Sequence, residues 1–267
     1  MMIKRVISAL VALFIIIPIV WIGGFPFTIT VYILSILGLR EFLKVMESKK
    51  ELPLFVDFIS YVTLTLVVLL NGTTTDLFLC LDYRIVAGLF LVCLLPTVLY
   101  HDQKIYSVVD AFYLIGGIFF LGISFSLMIV LHNYNVSVLI YLALVTMITD
   151  TYALIVGKLV GKHPLLTDIS PNKTWEGTIG GTFFGVLVAT VFYHTVVDPT
   201  LSFTILIPIT LFLSILGQYG DLVFSAIKRH YKIKDFSNIM PGHGGILDRL
   251  DSLIFVILGF LFFITVI

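Results

Sequence analysis

The segment between Asp221 and Asp251 concentrates polar side chains in a chain of which only 12% of the residues are charged. On a helix, Asp221, Ser225 and Lys228 would share one face, because they are separated by four and three positions. Carboxylates of this kind bind hard divalent cations, and lysine and arginine side chains bind phosphate. The segment is therefore predicted to form a metal-assisted phosphate site. Its polar members are Asp221, Ser225, Lys228, Arg229, Lys232, Lys234, Asp235, His243, Asp248, Arg249 and Asp251.

A glycine-rich loop, Pro241-Gly242-His243-Gly244-Gly245, interrupts this segment. Proline and glycine do not continue a helix, and the glycines leave backbone N–H groups that a ligand can approach closely. Such amides suit phosphate, which makes Gly244 and Gly245 candidate substrate-binding residues. If the chain is helical after the loop, Asp248 and Asp251 stand one turn apart.

The composition excludes a soluble globular protein, since 59% of the 267 residues are hydrophobic and the mean hydropathy is +1.12. A membrane helix needs about 20 mainly apolar residues. We therefore predict an all-α polytopic membrane protein with nine spans. A secretory signal is not predicted at the N-terminus, because no small-residue cleavage site follows the first apolar run and a second run follows at once. The spans are expected near residues 6–22, 25–43, 54–71, 84–100, 108–131, 136–157, 177–196, 202–224 and 252–267.

The basic residues predict the orientation of these spans. If the N-terminus is cytoplasmic and the C-terminus is outside, all of the 16 lysine and arginine residues except Arg84 lie on the cytoplasmic side. Residues 1–135 then form structural, lipid-facing spans, and residues 136–267 form a catalytic region with cytoplasmic loops at 157–176 and 228–251. The charged stretch from Arg40 to Glu51 is predicted to be a solvated helix end, with contact to anionic lipid head groups as the alternative.

Asp150 lies inside the sixth predicted span, where an ionisable side chain is costly and is by default functional. The alternative is a buried structural hydrogen-bond acceptor. At 1.5 Å per residue, Asp150 lies about 21 Å and Asp221 about 28 Å below the outer surface. Asp248 and Asp251 stand at the cytoplasmic start of the last span, so all four carboxylates could meet at one level.

The loop before the seventh span contains the run Ser170-Pro171-Asn172-Lys173-Thr174. Ser170 or Thr174 is expected to cap the next helix. Lys173 is a candidate phosphate ligand, although a cytoplasmic loop with anchoring charges would explain the run as well. The next helix should pack closely through a face of small residues. These are Gly177, Gly180, Gly181 and Gly185.

A polar site at the cytoplasmic edge can receive a water-soluble phosphate compound from one side and a lipid from the other. We therefore predict a membrane enzyme that transfers a phosphate-containing group to or from a lipid. The segment from Ser225 to Asp251 resembles the signature of the phosphatidate cytidylyltransferase family, also called CDP-diacylglycerol synthases. The matching features are the serine, Lys-Arg, Lys-Asp, His-Gly-Gly and the run Asp248-Arg249-Leu250-Asp251.

The resemblance extends over about residues 145–255. It includes Asp150 with Tyr152 and Ala153, the loop at 157–164 and the run at 170–174, whereas the first five spans are similar only in hydrophobic layout. It implies that CTP and phosphatidate react to give CDP-diacylglycerol and diphosphate in the presence of Mg²⁺. The implied setting is the inner cell membrane with the site on its cytoplasmic side. The implied partners are CTP, phosphatidate and membrane lipid, with no nucleic acid, and a homodimer is implied by the resemblance alone.

The resemblance also assigns roles to individual residues. Asp221 and Asp248 would hold the metal, with Asp251 near a second cation and Asp150 as a ligand or an orienting group. His243 could be a general acid, a ligand or a support of the loop. Ser225 would donate a hydrogen bond, and the phosphates would be held by Lys173, Lys228, Arg229 and Arg249. The other candidate substrate-binding residues are Ser170, Asn172, Thr174, Lys234, Asp235, Gly244 and Gly245.

Two other functions remain open from the sequence. A CTP-dependent polyprenol or lipid kinase would use similar groups but release CDP. An ion-coupled transporter would place Asp150 and Asp221 on an ion path. A transporter should carry polar residues through both leaflets, whereas the first five spans nearly lack them.

Overall fold

The computed structural model describes residues 14–47, 51–72, 83–100, 102–240 and 244–263, and these are mostly helical. Each helix follows an apolar run of the sequence, and many of the connections are short. The helices are α1 (14–22), α2 (Gly24–Glu47), α3 (Leu54–Gly72), α4 (Tyr83–Leu99), α5 (Val108–Tyr134), α6 (Val136–Val160), α7 (Trp175–Phe192), α8 (Phe203–His230) and α9 (Leu247–Phe260).

Within the described ranges, four helices are long and apolar enough to cross a membrane: α5, α6, α7 with its π-helical extension to Val197, and α8. The apolar parts of α3 and α4 are shorter. This agrees with the prediction of an all-α protein that is embedded in a membrane. The count of nine spans and the orientation of the termini stay predictions.

The chain divides into two compact units. The first unit contains the residues up to Tyr134 together with Asp235–Asp248. The second contains Asn135–Lys234 and the residues from Arg249 onward. The predicted signature segment therefore contributes residues to both units.

In the first unit, α2 is packed through most of its length. Phe42 of α2 stacks on Tyr113 of α5 with ring centroids 4.6 Å apart, and it occupies the space beside Gly117. The prediction of a solvated helix end is wrong for Glu41, which is only 2% exposed. The physical reason is its position on the helical face of Gly38 and Val45, which points into the unit. Arg40 and Lys44 are exposed, as predicted.

In the second unit, α6 and α7 approach each other closely through the predicted glycines. A Cβ atom on Gly177 would lie 2.6 Å from the Ala153 carbonyl oxygen, and one on Gly181 would lie 2.5 Å from that of Thr149. No larger residue fits at this separation, so the predicted small-residue face is confirmed. Buried hydroxyl pairs then join α8 to α6. These are Tyr141 with Thr210 and Thr149 with Ser214, each at 2.8 Å.

The connection between α6 and α7 is more regular than the predicted loop. It contains two short antiparallel strands, β1 (Pro164–Leu166) and β2 (Ser170–Thr174). Glu176 at the start of α7 anchors the hairpin, because its Oε2 accepts the backbone N–H groups of Lys162 and His163 and its Oε1 contacts the His163 ring. The hairpin therefore has a fixed base at the end of the two helices.

Candidate active site

The predicted polar face of α8 is present. Asp221, Ser225 and Lys228 all lie within this helix, and Ser225 Oγ donates a hydrogen bond to Asp221 Oδ1 at 3.3 Å. Ser225 and Lys228 are buried, and Asp221 is partly exposed. The helix therefore presents a carboxylate whose orientation is supported by its own serine.

The hairpin brings Lys173 to this face. Lys173 Nζ lies 2.6 Å from Asp221 Oδ2, and the two side chains are 24% and 29% exposed. A charge-assisted contact of this length is strong, but both partners still reach solvent. The pair can therefore exchange partners when an anion approaches the lysine or a cation approaches the carboxylate.

Two further carboxylates are close to Asp221. Asp251, only 8% exposed, interacts electrostatically with Asp221, Lys228 and Asp150. Asp150, which is exposed on α6, interacts with Asp221 and Lys173. We call these five residues, Asp150, Lys173, Asp221, Lys228 and Asp251, the carboxylate–lysine cluster. Three carboxylates that repel one another favour the binding of a cation.

Arg229 has a structural role at the turn of the hairpin. Its Nε donates to the Ile169 carbonyl oxygen at 3.2 Å, and Nη1 donates to that of Ile233 at 3.4 Å. These contacts join the hairpin turn to the end of α8. The binding of phosphate by Arg229 stays a prediction.

In the first unit, Asp248 lies against Gly244 and Gly245, the described end of the glycine-rich loop. Its Oδ2 accepts the backbone N–H groups of Phe236 and Gly245, both at 2.9 Å. Gly244 has φ = 86°, and a Cβ atom there would lie 2.8 Å from the same Oδ2. Both the positive φ angle and the lack of space for a Cβ atom favour glycine at this position. The role of Asp248 as a metal ligand stays a prediction.

The remaining predicted residues are distributed over both units. Thr174, not Ser170, caps α7, since its Oγ1 accepts the Gly177 N–H at 3.1 Å. Ser170 is partly exposed and Gly245 is buried. His243 lies outside the described residues. The exposed candidates are Asn172, Lys234, Asp235 and Arg249.

Two acidic residues that contact these loops were not among the predicted site residues. Glu176 anchors the hairpin, and Glu41 accepts hydrogen bonds from Ser237, Ile246 and Leu247. Glu41 could have been recognised from its place on the apolar face of α2. The donors of its hydrogen bonds could not, because they are distant in the sequence.

Comparison with known proteins assigns the chain to a family. The profile of the Cytidylyltransferase family matches residues 3–267. The chain is 36% identical over 253 residues to the phosphatidate cytidylyltransferase of Staphylococcus haemolyticus, with 95% of both chains covered. It is 35% identical over 266 residues to that of Bacillus subtilis, with 98% of this chain and 96% of the relative covered. The chain therefore belongs to the cytidylyltransferase family.

Proposed function

We propose that the protein converts CTP and phosphatidate to CDP-diacylglycerol and diphosphate. The supporting observation is the carboxylate–lysine cluster, which combines cation-binding and phosphate-binding groups within a protein of apolar helices. Relatives that match over nearly the whole chain carry the name phosphatidate cytidylyltransferase. The substrates are a soluble nucleotide and a membrane lipid, and both must reach one site.

The proposed reaction is an in-line displacement at the α-phosphorus of CTP. An oxygen of the lipid phosphate forms a new bond to this phosphorus, the bond to the β-phosphate oxygen breaks, and diphosphate leaves with that electron pair. The lipid phosphate is already an anion at neutral pH, so no protein nucleophile is needed. The main requirement is to neutralise the phosphoryl oxygens and to align the two substrates.

The lysines of the cluster meet this requirement. Lys173 exchanges Asp221 for a phosphate oxygen, since the pair is partly exposed. Lys228 compensates Asp251 and adds positive charge to the site. Ser225 keeps Asp221 oriented when the lysine departs. Arg249 and Arg229 are the further predicted phosphate ligands.

The carboxylate oxygens of the cluster are of the type that Mg²⁺ prefers as ligands. Within the described residues, no three His, Cys, Asp or Glu side chains are arranged as ready ligands for one ion. Mg²⁺ usually binds through one or two carboxylates and completes its coordination with water and substrate phosphates. The residues expected to hold it are Asp221 and Asp248, with Asp251 and Asp150 as further candidates. When bound, it would neutralise charge on the phosphates and on the departing diphosphate.

We place the reaction at the cytoplasmic face of the cell membrane, because the basic residues of the sequence predict that side for the loops that carry Lys173 and Arg249. CTP then arrives from the cytoplasm and phosphatidate from the adjoining leaflet. The homodimer implied by the family resemblance stays a prediction.

The test uses purified protein in detergent with phosphatidate, Mg²⁺ and CTP labelled in the cytosine ring. We expect label in the lipid phase, an equal amount of diphosphate, and loss of both when a chelator is added. Release of CDP with transfer of the γ-phosphate would favour the lipid kinase instead. A folded protein that forms neither product would overturn the proposal, and ion flux in vesicles would then be measured.

A further inference from the structure

Glu41 is a buried carboxylate on α2 that the proposed reaction does not use. It is 2% exposed, although its neighbours Arg40 and Lys44 are exposed. A buried carboxylate is strongly unfavourable unless hydrogen bonds replace its water. The groups that replace this water identify what Glu41 does.

Within the part of the chain that the structure describes, the donors to Glu41 lie between Ser237 and Leu247, the first residue of α9. Oε1 accepts from Ser237 Oγ at 2.6 Å and from the Ile246 N–H at 2.9 Å, and Oε2 accepts from the Leu247 N–H at 2.9 Å. Both oxygens are therefore engaged. An amide side chain could satisfy only part of this arrangement, because one of its two polar atoms is a donor.

The hydrogen bonds of Glu41 satisfy backbone N–H groups at the start of α9. This helix begins at Leu247, and its first N–H groups have no partners within the helix. The residue before it is Ile246, whose apolar side chain cannot cap a helix. Glu41 supplies the missing cap from another part of the chain. Gly245 allows the approach, because a Cβ atom there would lie 2.5 Å from Glu41 Oε1.

The same short stretch is also bound by Asp248. The Gly245 N–H donates to Asp248 Oδ2, and the next two N–H groups, of Ile246 and Leu247, donate to Glu41. Three successive backbone amides are thus divided between two carboxylates. If Glu41 no longer accepts the Ile246 and Leu247 N–H groups, only one of these three hydrogen bonds remains, the one between the Gly245 N–H and Asp248.

We propose that Glu41 is a positioning residue that holds the Gly245–Leu247 backbone and thereby orients Asp248 for metal binding. It contacts no reacting group itself. This inference rests on the proposed function for its effect on turnover, but its effect on the loop can be measured without substrate or metal.

The test compares Glu41→Gln with Glu51→Gln, the same change at an exposed site of the same unit. Hydrogen–deuterium exchange is measured on the metal-free protein. In Glu41→Gln we expect peptides covering residues 236–248 to exchange about fivefold faster or more, because a helix cap is lost. Peptides from α5 should exchange as in the wild type. Glu51→Gln should leave both regions unchanged.

Steady-state kinetics then separate positioning from general support of the fold. We expect Glu41→Gln to raise the Mg²⁺ concentration for half-maximal activity about tenfold and to lower kcat about tenfold. A variant with a smaller fraction of folded enzyme would lower kcat alone. Ser237→Ala, which removes one donor, should produce a weaker form of both effects and add little to Glu41→Gln.

Wild-type exchange in Glu41→Gln would overturn the proposal, and so would faster exchange with an unchanged Mg²⁺ response. If Glu41→Gln does not fold, Ser237→Ala must show the faster exchange and the altered Mg²⁺ response, and the proposal fails if it does not. If the wild type forms no CDP-diacylglycerol while Glu41→Gln loosens the loop, the proposed function fails and the loop contact stands.

Discussion

Asp221 in the second unit is held differently from Glu41 and Asp248 in the first unit. In the second unit, Asp221 is bound by two side chains, Lys173 and Ser225, and it stays partly exposed. In the first unit, Glu41 and Asp248 are bound largely by backbone N–H groups of one loop. A side-chain partner can rotate away when a ligand arrives, whereas backbone partners cannot leave without a change of the loop itself.

Asp221 therefore has a partner that a ligand can replace, whereas the contacts of Glu41 and Asp248 hold the backbone in one conformation. The carboxylate–lysine cluster supplies charges that a substrate can capture. The Glu41 and Asp248 contacts fix the backbone around Gly245. Substitutions in the two places should therefore have different signatures, even where they reduce turnover equally.

The largest effect is expected for Asp221→Asn. The change keeps the size of the side chain but removes the charge that would bind Mg²⁺ and pair with Lys173. Turnover should fall at least about 100-fold, since removal of one electrostatic group from a site of this type has such effects. The measurement is CDP-diacylglycerol formation by protein that elutes as a folded peak in detergent.

Asp168→Asn is the matched control, because Asp168 is exposed in the turn of the hairpin. Its activity should stay within about twofold of the wild type. Full activity of folded Asp221→Asn would remove Asp221 from the proposed charge role.

Asp248→Asn tests whether turnover needs the negative charge of Asp248 in addition to its hydrogen bonds to the loop. Asparagine keeps one oxygen acceptor for the N–H groups of Phe236 and Gly245, but it lacks the negative charge. We expect turnover to fall at least about 100-fold while hydrogen exchange of the loop stays near that of the wild type. If turnover of this variant stays near that of the wild type, Asp248 supports the loop and its charge is not required.

Lys173→Met should have a smaller effect. The lost contact with a phosphate is worth about 1.5–3 kcal/mol, so kcat/KM should fall about 10- to 100-fold. Lys173→Arg should recover part of this loss, because the charge is kept. Lys162→Met, at an exposed position next to the hairpin, is the control. Equal kinetics for the two methionine variants would contradict a direct role of Lys173.

The smallest effect is expected for the scaffold beneath the cluster. Gly181→Ala inserts a methyl group 2.5 Å from the Thr149 carbonyl oxygen, and it should reduce the free energy of unfolding by about 1–3 kcal/mol. Gly116→Ala is the control, since a Cβ atom there meets nothing within 4 Å. Thermal unfolding in detergent gives both values. A Gly181→Ala protein as stable as the control would show that the two helices can separate without loss.

Local sequence patterns predicted much of this architecture. Apolar runs gave the positions of the helices, the spacing of Asp221, Ser225 and Lys228 gave their shared face, and the glycines of α7 gave its close contact with α6. These features depend on residues that are near one another in the sequence. Their geometry follows from the regular repeat of the helix.

Contacts between distant segments were not predictable in the same way. Nothing near Glu41 indicates that it will accept N–H groups from Ile246 and Leu247, and nothing near Arg229 indicates the Ile169 carbonyl oxygen. The hairpin was missed for a related reason, since its strands are short and are held by Glu176, which lies beyond them. Such contacts depend on how the elements assemble.

Glu41 is synthesised long before the residues that donate hydrogen bonds to it. Glu41 and Ile246 are 205 positions apart, so the ribosome must add 205 residues after Glu41 before this contact can form. Until then the emerging α2 carries a carboxylate whose final hydrogen bonds do not yet exist. Contacts of such long range also require the closure of a long loop, which costs conformational entropy and slows folding. The hydrogen bonds of Glu41 to the Ile246 and Leu247 N–H groups can therefore form only after these residues are synthesised, and a chain that ends before residue 246 cannot make them.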